Sequence, residues 1–393
     1  MSFADHWLLP DGMDEVLPPQ ARQIEGLRRK LLDLYHAWGY ELVLPPKVEF
    51  LESLLTGAGH DLDLQTFKVT DQLSGRLMGV SADVTPQVAR MDAHSSRAEG
   101  VARFCYSSEV LRTRPDNLLG SRSPIQIGAE LFGHSGSESD LEILCLMLDS
   151  LLAAGATDLC LDLGHVSIYR SLVAEAQLSQ ETEEKLFDLL QHKRLGELDA
   201  LLADHNLAAV ELLKKLAYLN GGVEMLTRAQ QELAAAPAKV QQALAELTEL
   251  ATALQNLYPE VKVYLDLSEL RGYHYHTGLV FAAFVPQLGQ ALAKGGRYDE
   301  IGAIFGRPRP ATGFSTDLKV LASLQSSPTA APVILAPAAC QQDVQGRQLL
   351  QRLRAEGQRV ILQLAGTPEP AHISGRLVQQ QGQWQLQVNE STR

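Results

Sequence analysis

The sequence has few cysteines, and the four present lie far apart. They are Cys105, Cys145, Cys160 and Cys340, and no two of them form a CxxC pair in a chain of 393 residues. Zinc ribbons and dense disulfide frameworks need closely spaced cysteines. The pattern therefore predicts reduced thiols, as in the cytoplasm, and argues against a cysteine-based scaffold.

Positive charge is also scarce. The chain has 34 Lys and Arg against 47 Asp and Glu, which gives a formal net charge of −13 and a pI near 5.3. The one short basic cluster, "GLRRKLL" (26–32), carries leucines at helical spacing. A surface of this charge repels phosphate backbones, so we expect no nucleic-acid partner.

No long hydrophobic run is free of charge. The most apolar stretch, 141–163, contains Glu142, Asp149, Asp158 and Asp162. The start "MSFADHWLLP" has neither a basic segment nor a long apolar one. We therefore expect no membrane span and no export signal.

Composition divides the chain into segments. Leucine, alanine and glutamate at helical spacing dominate after about residue 171, with breaks expected at Gly196, 220–222 and Pro237. A Ser/Pro/Ala linker follows at 323–332. We predict a core in two parts (1–170 and 256–325), a helical insertion (171–255) and a small α/β C-terminal domain (326–393).

Short strands with polar turns outnumber regular strand–helix alternation in the core. A hairpin is expected around "QLSG" (72–75), a helix at 85–94 with Thr85 as its cap, and a helix at 139–155 with Ser139 as its cap. The run "YHYHTGLVFAAFV" (273–285) is predicted as a strand. The pattern favours an antiparallel sheet flanked by helices, an α+β fold.

The stretch "RGYHYHTG" (271–278) alternates tyrosine with histidine. It could serve catalysis, hold a small ligand or bind a metal. On a strand, His274 and His276 would share one face, as two metal ligands do. No third ligand has suitable spacing, so no metal site is predicted.

Spaced segments together resemble the catalytic core of class II histidyl-tRNA synthetases over roughly residues 5–320. They are "GYELVLPPKVEF" (39–50), "ADVTPQVAR" (82–90) with "EVLRTRPD" (109–116), "IQIGAELFG" (125–133), and "RGYHYHTGLVF" with "GGRYDE" (295–300). The resemblance implies the class II fold and a pocket for histidine.

By position in the family pattern, the pocket residues fall into three groups. Asp83, Thr85 and Gln126 would face the α-amino group, Arg112, Gln126 and Arg271 the carboxylate, and Glu130, Tyr275, His276 and Tyr298 the imidazole ring. Each residue type suits its target, because an ammonium needs acceptors and a carboxylate needs a cation. Plainer interpretations remain open: Asp83 and Thr85 as helix caps, Glu130 as a solvated strand residue, and the tyrosines as ordinary core or surface residues.

The segments that hold ATP in these synthetases are altered here. In "GFSTDLKVL" (313–321), Asp317, Lys319 and Val320 stand where the family has glycine, glutamate and arginine, and Ser123 and Pro124 replace an acid and an aromatic residue. Each lost charge-assisted hydrogen bond costs about 1.5–3 kcal/mol. We therefore predict no adenylation activity and no cofactor.

A synthetase-like core without an ATP site resembles the family of ATP phosphoribosyltransferase regulatory subunits. The resemblance implies a non-catalytic chain that activates a short-form catalytic subunit in the first step of histidine biosynthesis. It also implies histidine feedback and a dimeric core within a hetero-octamer, without a tRNA partner. The alternatives are a divergent active synthetase and a stand-alone amino-acid sensor, and histidine could bind in the pocket or at a subunit interface.

Overall fold

The computed structural model describes residues 7–56, 60–96, 99–115, 120–202, 208–273, 275–326 and 331–389. The chain divides into two compact units. The first comprises Met1–Val16 and Gln23–Ser326, and the second comprises Leu17–Arg22 and Ser327–Arg393.

The strands of the described ranges are short and spread along the whole chain. They are β1 (Glu41–Leu42), β2 (Val48–Phe50), β3 (Lys68–Thr70), β4 (Leu77–Val80), β5 (Ala102–Glu109), β6 (Ile125–Phe132), β7 (Cys160–His165), β8 (Asn220–Gly221), β9 (Lys262–Asp266), β10 (Leu279–Phe284), β11 (Ala293–Arg297), β12 (Ala311–Asp317), β13 (Val333–Pro337), β14 (Val360–Gln363), β15 (Ile373–Gln380) and β16 (Gln383–Val388).

The helices cluster in the middle third of the chain. They are α1 (Gln20–Ala37), α2 (Leu51–Leu55), α3 (His60–Gln65), α4 (Thr85–Arg90), α5 (Ser137–Ala153), α6 (Val166–Ala176), α7 (Gln180–Gln191), α8 (Leu195–Leu201), α9 (Ala208–Leu216), α10 (Met225–Glu232), α11 (Ala238–Leu257), α12 (Ile301–Ile304), α13 (Leu318–Ser323), α14 (Ala338–Gln342) and α15 (Val344–Ala355). A π-helical segment, Met91–Ser96, follows α4.

A nine-stranded sheet forms the centre of the first unit, in the order β1-β5-β6-β12-β11-β10-β7-β9-β8. Its inner pairs, from β5 to β7, are antiparallel, and only the pairs β1/β5 and β7/β9 are parallel. Helix α5 packs on one face of this sheet. This agrees with the predicted antiparallel sheet flanked by helices.

Alternation along β6 separates the core of this unit from its other face. Ile127, Ala129 and Leu131 join the main hydrophobic core, together with the leucines of α5. Successive strand residues point to opposite faces, so Gln126 and Glu130 lie on the face away from α5. Both are buried nonetheless, which is unusual for polar residues and marks this face of the sheet as a site.

The apolar stretch 141–163 is accounted for by this core. Ile143, Leu144, Leu146 and Met147 of α5 are fully buried, and α5 packs against the sheet and against helix α11. Within the described residues, no helix is both long enough and apolar enough to cross a membrane.

The second unit is small. Strands β14, β13 and β15 run parallel to one another, and β16 completes the sheet as an antiparallel hairpin with β15. Helix α15 covers one face through Leu350 and Leu353, which pack against Ile334 and Leu377. The unit thus contains a strand–helix–strand element followed by a final hairpin.

Some local predictions were wrong. The helix predicted with Thr85 as cap begins at Thr85 itself, after Val84. The helix predicted with Ser139 as cap begins at Ser137, and the Ser139 hydroxyl donates within its first turn to the carbonyl of Gly136 (2.8 Å).

Two further elements differ from the pattern-based prediction. Gly196 does not break the insertion, because it lies inside α8, and the chain turns just before it, where Lys193 has φ +54°. The predicted strand 273–285 is reduced to Leu279–Phe284, since Gly272 has φ +66° and the residues around it form turns. His276 therefore lies before the strand, and His274 is outside the described residues.

Candidate functional site

A cavity of about 440 Å³ opens on the face of the sheet opposite α5. Seven of the predicted ligand-binding residues line it: Asp83, Thr85, Glu130, Arg271, Tyr275, His276 and Tyr298. They come from the start of α4, the middle of β6, the turns before β10 and the end of β11. The sequence places them far apart, and strand pairing brings them together. We refer to this space as the first cavity.

Glu130 is the most deeply buried acid of the first cavity. Its Oε1 accepts hydrogen bonds from Thr85 Oγ1 (2.9 Å) and from the hydroxyl of Tyr106 (3.1 Å), and its Oε2 accepts from the hydroxyl of Tyr298. Burial raises the pKa of Glu130 to about 8, although the three donors oppose the rise. The carboxyl group can therefore gain or lose a proton near neutral pH.

A glycine makes this arrangement possible. Tyr106 pairs with Gly128 across β5 and β6, two residues before Glu130. A Cβ on Gly128 would lie 2.7 Å from the Tyr106 hydroxyl and 2.2 Å from the Phe314 carbonyl oxygen. The phenol ring of Tyr106 can thus reach Glu130 only because position 128 has no side chain.

Gln126 and Asp83 fix the start of α4. Gln126 Nε2 donates to Asp83 Oδ1 (2.8 Å), and Gln126 Oε1 accepts from the backbone N–H of Val84 (3.0 Å). Asp83 Oδ1 also accepts from the backbone N–H of Thr85 (3.1 Å). Asp83 thus shares the capping role left open by the sequence, whereas the Thr85 hydroxyl is directed to Glu130 and not to the helix backbone.

Aromatic rings form another wall of the first cavity. The Tyr275 ring lies 5.0 Å from that of Tyr298 at 34°, and 5.3 Å from the imidazole of His276 at 85°. The Tyr275 hydroxyl and His276 Nδ1 are buried without a hydrogen-bond partner among the described residues. Burial lowers the pKa of His276 to about 4, so its imidazole is neutral at physiological pH.

Two glycines enclose the His276 ring. A Cβ on Gly272 would lie 2.6 Å from His276 Cδ2, and a Cβ on Gly296 would lie 2.8 Å from His276 Nδ1. The ring is therefore held in a slot that only glycine backbone can form on both sides.

Arg271 lines the first cavity as a cation, together with Lys294. Its Nη2 lies 2.7 Å from Glu269 Oε2 and 3.8 Å from Asp162 Oδ2, and its guanidinium lies over the ring of Phe284. Burial raises the pKa of Asp162 to about 6. A ligand carboxylate would therefore have to compete with two protein carboxylates for this guanidinium.

A second cavity of about 400 Å³ adjoins the first, and Arg271 lines both. It contains the remaining predicted residues, Arg112 and Gln126, together with Asp317 and Val320. Arg112 and Gln126 line the second cavity and not the first. Whether they contact the same ligand as the other seven residues therefore stays a prediction. Arg112 Nε donates to the carbonyl of Ala82 (3.3 Å).

The second cavity is lined by the carboxyl group of Asp317 as well as by the cations Arg112, Arg271 and Lys294. Asp317 Oδ1 accepts from the backbone N–H groups of Ile125 (3.1 Å) and Lys319 (2.9 Å), so its side chain also caps α13. Burial raises the pKa of Asp317. Lys319 Nζ pairs instead with Asp14 Oδ1 (3.0 Å) and Ser123 Oγ (3.3 Å).

Several residues of the first cavity were missed by sequence reasoning. They are Tyr106 beside Glu130, and the lining residues Asp162, Phe187, Glu269 and Lys294. A glycine inside a strand, Gly128, was the one feature of the sequence that could have indicated a large side chain such as Tyr106 on the neighbouring strand. Phe187 comes from α7 of the insertion and stacks on Tyr273 at 5.2 Å, a contact that no local pattern encodes. Within the described ranges, no group of three or more potential metal ligands is present.

Comparison with known proteins gives two family matches. The histidyl-tRNA synthetase family model matches residues 12–321, and the model of the ATP phosphoribosyltransferase subunit HisZ C-terminal domain matches residues 331–387. Together they span most of the described chain.

Curated relatives cover nearly the whole chain. An ATP phosphoribosyltransferase regulatory subunit of Chromohalobacter salexigens is 55% identical over 98% of this chain and 99% of that protein. One of Pseudomonas aeruginosa is 54% identical over the same shares of the two chains.

Solved structures show the same fold. A Bacillus halodurans protein described as an ATP phosphoribosyltransferase regulatory subunit/histidyl-tRNA synthetase has a TM-score of 0.80 at 28% identity, covering 92% of this chain and 94% of that one. Histidyl-tRNA synthetase of Nostoc sp. PCC 7120 has a TM-score of 0.76 at 18% identity, covering 95% and 91%. The predicted class II synthetase-like fold is therefore confirmed.

Proposed function

Since this chain belongs to the family of ATP phosphoribosyltransferase regulatory subunits, we propose that it activates a short-form catalytic subunit in the first step of histidine biosynthesis and that histidine binds in its first cavity. The relatives are named as regulatory subunits, and the role of this family is non-catalytic. We further propose that the chain acts in the cytoplasm as a dimer within a hetero-octamer.

The buried carboxyl of Glu130 carries the histidine proposal. Three hydroxyl groups hold it at the wall of the first cavity, where burial keeps its pKa near 8. A carboxyl group in this state is costly to ionise when the cavity is empty. A ligand with an imidazole ring offers a donor, or a positive charge, that offsets this cost.

The opposite end of the ligand has its own partners. Asp83 offers acceptor atoms for an ammonium group, and Arg271 offers a cation for a carboxylate. The rings of Tyr275 and Tyr298 supply a flat wall for an imidazole. An amino acid with a planar, hydrogen-bonding side chain matches this set of groups.

The second cavity supports the non-catalytic part of the proposal. Asp317 places a carboxyl group there, Val320 has no charge, and Lys319 is paired with Asp14. Adenylation needs positioned cations around the phosphates of ATP. A divergent active synthetase is therefore the weaker alternative.

Feedback follows from linkage. If histidine binds one state of the complex more tightly than the other, it shifts the population towards that state by its difference in binding free energy. The stacking of Phe187 on Tyr273 connects the loop of the first cavity to the helical insertion, and it offers a physical path for such a shift.

Calorimetry tests the binding site. Glu130→Ala and Arg271→Ala should each weaken histidine binding by about ten- to a hundredfold, the value of one lost charge-assisted hydrogen bond. Glu181→Ala and Arg29→Ala are matched controls, because these residues form exposed ion pairs on α7 and α1. Unchanged affinity in both cavity variants would place the effector elsewhere, such as a subunit interface.

An activity assay tests the function. The purified chain is mixed with a short-form catalytic subunit, and phosphoribosyl transfer is measured with and without histidine. We expect the chain to raise the rate and histidine to lower it again. Charging of tRNA by the chain alone would instead identify an active synthetase, and the absence of any effect on the catalytic subunit would favour a stand-alone sensor.

A further inference from the structure

Strand β16 forms an edge of the sheet in the second unit, and it lacks the features that protect such edges. Its sequence, "QWQLQV", has no proline, lysine or other charged residue, and its six residues pair with β15 without a bulge. The charge-free stretch extends over residues 377–389. Exposed edges in natural proteins usually carry charges, prolines or bulges that prevent pairing with another chain.

The hairpin geometry shows which backbone groups of β16 point outward. Gln381 and Gly382 form the two-residue turn with φ +48° and +78°, typical of a type I′ turn. Gln380 and Gln383 then form a hydrogen-bonded pair, and the alternation continues to Asn389, whose N–H donates to the carbonyl of Ser374 (2.9 Å). The N–H and C=O groups of Trp384, Leu386 and Val388 therefore face away from β15.

The side chains of these three residues share one face of the sheet. Leu386 lies opposite Leu377, a core residue beneath α15, so this is the face that α15 covers. The helix covers Trp384 only in part, and Leu386 and Val388 remain 37% and 62% exposed. The unpaired edge of β16 thus carries an apolar stripe that continues beyond the helix.

We propose that β16 pairs antiparallel with β16 of a second copy of this chain, with Leu386 opposite Leu386 of the second copy and Trp384 opposite Val388 of the second copy. A two-fold axis normal to the sheet keeps each side chain on its own face, so only residues of equal parity can pair. All three outward-facing residues then take part, which gives about six backbone hydrogen bonds. A register shifted by two residues would give only about four backbone hydrogen bonds between the two strands and would leave Val388 without a partner residue.

The register favours a second copy as the occupant, because two-fold pairing about Leu386 uses all three outward-facing residues. The chain has a formal net charge of −13, so two copies repel each other over most of their surface. The uncharged stretch 377–389 is a place where they can approach without placing like charges face to face. The proposed pairing joins two four-stranded sheets and is independent of the histidine site.

Cysteine cross-linking tests the register. In Leu386→Cys, the two introduced cysteines face each other across a hydrogen-bonded pair about 5.5 Å apart, which suits a disulfide. In Gln383→Cys, the cysteine lies opposite Asn389 of the second copy and should not cross-link. The unchanged chain controls for the native cysteines, of which Cys105, Cys145 and Cys340 are buried. We expect covalent dimers for Leu386→Cys alone, and their absence under mild oxidation would overturn the proposal.

Charge reversal tests the pairing without a covalent bond. Leu386→Lys and Leu386→Glu each place like charges opposite each other, which destabilises a strand pair. Light scattering should show each variant alone at half the mass of the parent assembly, and an equal mixture of the two should recover the parent mass. An unchanged mass in both variants contradicts the proposal. So does a loss of catalytic-subunit binding while the mass of the regulatory chain alone stays unchanged, because the edge would then bind the other protein.

Discussion

Lys319 and Asp14 form an ion pair, with 3.0 Å between Nζ and Oδ1. Ser121 and Ser123 also donate to the Asp14 carboxylate. Burial raises the pKa of Asp14, but the hydrogen bond from Ser121 and the interactions with Lys319 hold it below its usual value. Lys319 is adjacent in sequence to Val320, which stands where the synthetase family has an arginine. The ion pair with Asp14 holds the Lys319 ammonium group, and Lys319 is not among the residues that line the second cavity.

Restoring the arginine alone should therefore not restore adenylation. In Val320→Arg the Asp317 carboxyl still lies in the second cavity, and its charge would repel the phosphates of ATP. We expect no histidine-dependent ATP–pyrophosphate exchange above background in the parent chain or in this variant. Val320→Leu controls for packing, and measurable exchange in Val320→Arg would show that one missing cation was the whole defect.

The protonation of Glu130 should make folding stability depend on pH. Its pKa is about 8 in the folded chain against 4.5 for an unperturbed glutamate, so the folded state binds more protons between these values. Stability contributed by the protonated carboxyl is therefore present below pH 4.5 and is lost as pH rises to 8, by up to about 5 kcal/mol.

Glu130→Gln removes this titration. The melting temperature of the variant should rise relative to that of the parent as pH increases from 5 to 8, when both are measured without histidine. The two curves would run parallel if the carboxyl were already ionised at pH 5, which would mean that the three hydroxyl donors outweigh burial.

His276 should act with the opposite sign. Its pKa is about 4 in the folded chain against 6.5 when unperturbed, so below pH 6.5 the unfolded chain binds the extra proton. Stability is present above pH 6.5 and falls by up to about 3 kcal/mol as pH drops to 4. Because Glu130 and His276 titrate in opposite directions, each must be measured as a difference from its own variant.

His276→Phe keeps a ring in the slot between Gly272 and Gly296 but cannot be protonated. Crowding adds an offset of about 1–3 kcal/mol that does not vary with pH. Denaturant unfolding at pH 4.5, 5.5 and 6.5 should show the parent losing stability relative to the variant as pH falls. A constant difference at all three values would show that the imidazole is accessible to water.

Seven of the nine residues named from the family resemblance line one cavity, whereas several predictions of the local backbone were wrong. The convergence of these residues depends on strand order and register, which periodicity alone does not fix. The Thr85 and Ser139 caps were wrong because each hydroxyl has a different acceptor in the folded chain, Glu130 for one and the Gly136 carbonyl for the other. A capping pattern in the sequence does not show which acceptor a serine or threonine hydroxyl will reach in the folded chain.

The residues missed by the sequence depend on contacts between distant elements. Phe187 reaches the first cavity from the insertion. Glu269, by contrast, contacts Arg271 only two residues further along the chain, and no motif marks that pair. Asp162 lies on β7, and no motif in the sequence marks its side chain. Strand pairing and helix packing decide which of these side chains come into contact, and the secondary-structure propensities of the residues do not.

A last prediction uses two glycines in different environments. Gly128→Ala places a methyl group 2.2 Å from the carbonyl oxygen of Phe314 and 2.7 Å from the Tyr106 hydroxyl, so the sheet or the tyrosine must move. We expect a loss of stability of about 1–3 kcal/mol. Histidine binding should weaken as well, because Tyr106 no longer supports Glu130.

Gly196→Ala is the matched control. Gly196 lies in α8 with open space around its Cβ position, so this variant should gain up to about 1 kcal/mol of stability. Equal stabilities for the two variants in denaturant unfolding would show that β12 and Tyr106 can withdraw from position 128, and that the contact between Tyr106 and Glu130 does not depend on the glycine.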